Sequence, residues 1–141
     1  MPRTTVKDVM TAGPTSIASG ESVVEAARRM LSDDVGSLPV VDEDKLVGMI
    51  TDRDIVLQVV AKDVDPHKVS VGDVASERPV TAAPDEPLDA ALQRMAKEQV
   101  RRLPVVTDGR LVGILAQADV ARTAQSESTG RLVEEISEQT G

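Results

Sequence analysis

The sequence predicts a mixed α/β (α+β) fold made of two successive β-α-β-β-α units, on three observations. The first is an internal repeat: shifted by 65 residues, Val6–Ile55 falls on Val71–Val120 without a gap, with 18 identities in 50 positions. The second is a pair of short, β-branched apolar runs in each copy, "LPVV" followed by "LVGMI" or "LVGIL". These are separated by the polar turns "DEDK" and "TDGR", which is the pattern of a hairpin. The third is a helical period in "ESVVEAARRML", where Val23, Val24, Ala27, Met30 and Leu31 recur at three- and four-residue spacing.

Taken in order, each copy opens on a "DV" dipeptide (Asp8–Val9, Asp73–Val74) and then a proline, Pro14 or Pro79. A short strand is expected after each proline, at Thr15–Ile17 and Val80–Ala82. A helix follows from Glu21. In the second copy Asp85 is the expected N-cap, with Pro87 in the first turn, where its missing N–H is harmless. The hairpin runs come next, and because they are nearly continuous rather than alternating, both faces of the sheet should be covered. A second helix is expected near Thr51 and near Ala116. A unit of this size holds little core, so the two copies are expected to pack around a pseudo-two-fold axis. The expected boundaries are a first unit at 1–60, the linker "AKDVDPHK" at 61–68 and a second unit at 69–124. A polar spacer with a short C-terminal helix follows at 125–141, with Leu132, Val133 and Ile136 on one helical face.

Composition narrows the function. The 141-residue chain has a net charge of -8 and no Phe, Tyr or Trp. Without aromatic platforms or a basic surface, it is not suited to nucleic acid. It has no cysteine and one histidine, His67 in the linker, so no disulfide framework, thiolate nucleophile or Cys/His metal site is expected. No apolar run reaches the length of a membrane span, and the N-terminus lacks a signal core. A soluble cytoplasmic protein is the expectation. Catalysis needs a base, a nucleophile or a metal held in mutual reach, and the residues offer none, so no catalytic residue is expected.

The markers "VKDVM", "LPVV…LVGMI" and Gly48-x-x-Thr51-x-x-Asp54 make the chain similar to the CBS-domain pair, two CBS motifs folded as one module. The resemblance spans Val6–Val120 and is closest to small stand-alone pairs of the hypoxic-response type. It implies a regulatory module without enzymatic activity. An adenosine-type nucleotide (AMP, ADP, ATP or S-adenosylmethionine) would bind between the motifs as a regulatory ligand, with no cofactor required. Carried over residue by residue, it implies that Asp54 takes the ribose hydroxyls and Thr51 the phosphate. The backbone of Thr15, Ser16 and Ile17 would read the adenine edge, and Leu38 and Pro39 would line its slot. Arg101 and Arg102 would reach the phosphate of that Asp54 site. Val80, Thr81, Leu103, Pro104 and Asp119 match a second, weaker site, in which Ala116 departs from the pattern.

The chemistry of these residue types agrees. An ionised carboxylate accepts two vicinal hydroxyl donors, a helix start favours anions, and arginine meets phosphate bidentately. Other readings stand beside it. Thr51 with Asp54 is also a helix capping box with Asp in place of Glu, and the arginine pair is also a solvated pair among many acids. Ala116 has lost the cap while Asp119 persists, which leans towards a ligand role. A homodimer is expected from the apolar "IVLQVV" run at Ile55–Val60, together with an unidentified protein partner. The alternative function is a ligand-free structural or interaction module that acts through its dimer surface.

Overall fold

The computed structural model describes residues 4–123. The first repeat comprises α1 (Val6–Val9), β1 (Thr11–Ala12), β2 (Ile17–Ala18), α2 (Val23–Asp33), β3 (Ser37–Asp42), β4 (Lys45–Thr51) and α3 (Asp52–Ile55). The last helix continues as a π-helical turn over Val56–Val60. After a 3-10 turn at Pro66–Lys68 the order recurs: α4 (Val71–Val74), β5 (Ser76–Glu77), α5 (Leu88–Glu98), β6 (Arg102–Thr107) and β7 (Arg110–Ala116). Residues 117–123 are helical. The expected C-terminal spacer and helix at 125–141 lie outside the described residues.

Both hairpins form as the sequence predicts. Each turns on two left-handed residues, Glu43 and Asp44 (φ 50° and 70°) and Asp108 and Gly109 (φ 52° and 79°). This geometry matches the twist of the flanking strands. The registers are equivalent, with Leu38 opposite Ile50 and Leu103 opposite Leu115, and a bulge falls at the same place in each.

The leading segment of each repeat belongs structurally to the other. β1 pairs antiparallel with β7, Thr11 opposite Ile114, and β5 pairs antiparallel with β4, Ser76 opposite Met49. Backbone bonds repeat at the same 65-residue offset. The Val6 N–H donates to the Glu86 carbonyl at 3.1 Å, and the Val71 N–H donates to the Glu21 carbonyl at 2.8 Å. There are accordingly two cores. Val71 completes one with Val23, Ile50 and Val59, and Val6 completes the other with Ala91, Met95 and Leu103. Each exchanged valine is fully buried, worth about 1.5–3 kcal/mol, so separating the repeats opens both cores.

This crossing explains the glycine of the repeated "LVG". A Cβ on Gly48 would lie 2.5 Å from the Ser76 carbonyl oxygen, and one on Gly113 would lie 2.5 Å from Met10 Sδ and 3.0 Å from the Thr11 carbonyl. Only glycine lets the incoming strand sit that close.

Several elements differ from expectation. The strand expected at Thr15–Ile17 is Ile17–Ala18, parallel to β3, and the one at Val80–Ala82 reduces to a single bridge from Ala82 to Val105. Asp85 is not the N-cap of α5; Pro87 is, with extended φ/ψ of -60° and 137°. The Glu86 carboxylate accepts the Ala83 N–H at 2.7 Å and holds the turn ahead of the helix, while Asp85 pairs with Lys7 at 3.3 Å. On α2 the buried stripe is Val23, Ala26 and Met30, and Leu31 is 84% exposed. The helix packs one residue round from the expected face, so Ala27 and Leu31 face outward.

Candidate functional site

The two aspartates at the repeat ends do different work. In the first repeat Thr51 caps α3. Its hydroxyl accepts the Asp54 N–H at 3.0 Å, and Asp54 Oδ2 accepts the Thr51 N–H at 2.9 Å. The capping box is therefore real and it engages one oxygen of the Asp54 carboxylate, Oδ2. In the second repeat Ala116 has no hydroxyl to offer, and the partners of Asp119 among the described residues are side chains. Its Oδ1 binds the Arg122 guanidinium, and its Oδ2 accepts the Thr11 hydroxyl at 3.5 Å, the outer limit of such a bond. The threonine hydroxyl that accepts the Asp54 N–H has no counterpart at Ala116, and the second repeat keeps its aspartate without the reciprocal cap.

Strand register decides where the arginines go. Arg102 lies opposite Ala116, whereas Thr51 lies opposite Ser37. A depression of about 160 Å³ results, in which Thr15 and Leu38 of the first repeat meet Arg102, Ile114 and Asp119 of the second. Asp33 also lines it. Thr51 and Asp54, expected beside Thr15, Leu38 and Arg102, are not among the residues that line this depression. The 65-residue shift carries Thr15, Leu38 and Arg102 onto Val80, Leu103 and Ser37, so the position equivalent to Arg102 on the Asp54 side is a serine. The hairpin register carried this signal: a residue just before "LPVV" ends up beside the end of its own repeat's second strand.

The two adjacent arginines also separate. Arg101 lines a larger groove of about 520 Å³ between α5 and residues 117–123, with Leu92, Met95 and Val120. That groove is the roomier of the two, but its lining has no carboxylate to meet a sugar. Of the residues expected to read a base, Thr15 lines the smaller depression, while Ile17 and Pro39 are fully buried. The Ser16 carbonyl accepts the Arg29 guanidinium. In the second repeat the Thr81 carbonyl is held likewise by Arg94 at 2.8 Å, Val80 and Thr81 are half-buried, and Leu103 and Pro104 are buried.

Sequence reading missed four contributors. Arg29 and Arg94 tie α2 and α5 to the loops before them, and each pairs with a glutamate eight residues earlier, Glu21 or Glu86, at 3.1 and 2.9 Å. The signal was present, because all four residues survive in both copies. Thr11 and Arg122 carried no such signal, since their counterparts are Ser76 and Leu57. Among the described residues no group of three His, Cys, Asp or Glu could hold a metal ion. No helix among them is long and apolar enough to cross a membrane.

Two cores that exchange their leading segments, with a charged depression where the repeats meet, define a two-motif tandem module. The CBS domain profile matches residues 6–61 and 71–126, and the chain belongs to the CBS-domain family as a tandem pair. It is similar to Hypoxic response protein 1 of Mycobacterium tuberculosis, 37% identical over 134 residues and 94% of each chain. The crystal structure of the CBS domain pair of protein MJ0100, in complex with 5′-methylthioadenosine and S-adenosyl-L-methionine, has a TM-score of 0.78 at 34% identity. It covers 89% of this chain and 99% of that one. CBSX2 in complex with AMP has a TM-score of 0.77 at 31% identity, covering 88% and 98%.

Proposed function

We propose that this chain is a regulatory module that binds one adenosine-type nucleotide in the depression between its repeats. In this reading the Asp119 carboxylate accepts the ribose hydroxyls, Arg102 holds the phosphate, and Thr15 with Leu38 flanks the base. The observation that carries it is the meeting of Thr15 and Leu38 with Arg102 and Asp119 in one depression. An acceptor-only group and a bidentate cation are what the two polar ends of a nucleotide need. The complexes of related pairs with AMP and with S-adenosyl-L-methionine support the ligand class. Asp54, whose Oδ2 already accepts the Thr51 N–H of its own helix cap, makes the other half the weaker site. The proposed role is sensing rather than catalysis, and ligand occupancy would be read at a homodimer surface formed by Val56, Leu57 and Val60, which are 52%, 45% and 67% exposed.

Calorimetry with AMP tests the assignment. The expected result is one site per chain, abolished by Asp119→Ala and retained by Asp54→Ala. The reverse pattern refutes it. A second reading, a module with an empty cleft that acts only through its exposed apolar face, rests on those same exposed side chains. It is favoured if AMP, ADP, ATP and S-adenosylmethionine all leave the melting temperature unchanged, since a ligand at a hundred times its Kd adds about 2.7 kcal/mol.

A further inference from the structure

We infer that the homodimer pairs unlike repeats: the helix seam of the first repeat in one copy docks into the helix groove of the second repeat in the other, and the reverse contact is made about the same two-fold axis. This rests on the homodimer reading above and gives that surface its partner. The seam between a repeat's two helices has opposite shapes in the two halves. In the second repeat it is the groove of about 520 Å³, lined by buried Met95, half-buried Leu92 and Val120, and exposed Ala96 and Ala121. The 65-residue shift carries the two alanines onto Leu31 and Val56, and both of these project into solvent. Leu57 and Val60 extend the projection along the same helix. Leu92 is larger than its counterpart Ala27, but it is half-buried and widens the apolar lining instead of projecting from it. One repeat therefore presents a ridge where the other presents a hollow.

Charge follows shape. The exposed groove residues Gln99, Arg101 and Gln117 correspond to the exposed Asp34, Gly36 and Asp52 of the ridge. Among the described residues Arg101, Asp34 and Asp52 form no ion pair. Ridge against ridge would set Asp34 and Asp52 beside their own copies in a chain that already carries a net charge of -8. Ridge against groove sets those acids beside Arg101, and complementary potentials of this kind choose between alternative dockings. Made twice about one two-fold axis, the contact closes on itself, so every ridge and every groove in the pair is covered.

The chain has no cysteine, so any disulfide between copies is an engineered one. Full-length copies carrying Leu31→Cys are co-refolded with copies carrying Ala96→Cys or Ala121→Cys, oxidised, and run on non-reducing gels. A mixture is expected to bridge while each variant alone stays unbridged, because a disulfide needs Cα atoms within about 7 Å. A bridge in Leu31→Cys alone sets like repeats together and overturns the pairing. Mixtures that all stay unbridged, while sedimentation shows a dimer, overturn it too and leave the homodimer reading standing. Arg101→Gln gives an independent sign. With unlike repeats paired it weakens the dimer by about fivefold at low salt, two exposed ion pairs being lost per dimer. With like repeats paired it removes a repulsion, so unchanged or tighter association counts against the pairing. A wild type that sediments as a monomer overturns the homodimer reading as well, and leaves the groove to an occupant other than a second copy.

Discussion

Asp54→Ala and Asp119→Ala should trade places between stability and binding. Asp54 Oδ2 accepts the half-buried Thr51 N–H at 2.9 Å, so its removal orphans a backbone donor at a helix start. Loss of a cap of this kind costs about 1 kcal/mol. Asp119 contributes less to the fold. Its ion pair is to a side chain that is 75% exposed, and exposed pairs are worth about 0–1 kcal/mol before screening. The bond from Thr11 is at the distance limit. Asp119→Ala should therefore cost under about 0.5 kcal/mol on the same surface-pair scale. With a urea m-value on the order of 2 kcal/mol/M, Asp54→Ala should lower the midpoint by about 0.5 M and Asp119→Ala should barely move it. Nucleotide affinity should respond in the opposite sense, falling about ten- to hundredfold in Asp119→Ala alone. The chain has no Trp or Tyr, so unfolding must be followed by far-UV circular dichroism rather than intrinsic fluorescence. Equal destabilisation by the two variants, or a neutral Asp54→Ala, refutes the reasoning, because it would mean that the two carboxylates are equivalent after all.

The close strand crossings predict unequal glycine costs. Gly48→Ala places its Cβ against backbone, while Gly113→Ala first meets the flexible Met10 side chain. The first should cost about 1–3 kcal/mol, the usual range for overpacking, and the second less; the opposite order in urea midpoints counts against the exchanged-strand account. Val60→Glu, at a position 67% exposed, should leave the melting temperature unchanged and shift sedimentation from dimer to monomer. A dimer that persists means another face is used. At low pH, Asp8 should titrate below the ordinary 3.8, held down first by the Thr5 backbone N–H, then by the Thr5 hydroxyl, with Lys7 adding and burial opposing. Its stabilising contribution is then complete above that value and is lost as pH falls through the lowered pKa. Thr5→Ala, followed by NMR titration of Asp8, should raise the pKa part of the way back, since the larger backbone contribution remains. An unshifted wild-type Asp8 would show that the two hydrogen bonds from Thr5 to its carboxylate are not formed.

Sequence alone determined whatever depends on neighbours along the chain. The 65-residue repeat, the two hairpins with their polar turns, the amphipathic helices and the capping-box reading of Thr51 and Asp54 are all written in local spacing and turn chemistry. These act within a few residues and so can be read without coordinates. The candidate site residues came from the resemblance to the CBS-domain pair, and the repeat added that the same aspartate recurs in both copies. Tertiary structure decided how they combine. A duplication says that Val6 and Val71 are equivalent, but it does not say which core each one fills. Packing each leading segment on its own repeat or on the other preserves the same hydrophobic pattern, and only the close approach at Gly48 and Gly113 separates the two. The same ambiguity governed the depression between the repeats, since register sets Arg102 opposite Ala116 and it lines that depression with Asp119. It also governed the face of α2, where the register of packing against the sheet buried Ala26 and left Leu31 outside. Local physics could state what each residue type is able to do. Which partner it meets is a long-range choice between near-symmetric alternatives, and the folded chain makes that choice by fit.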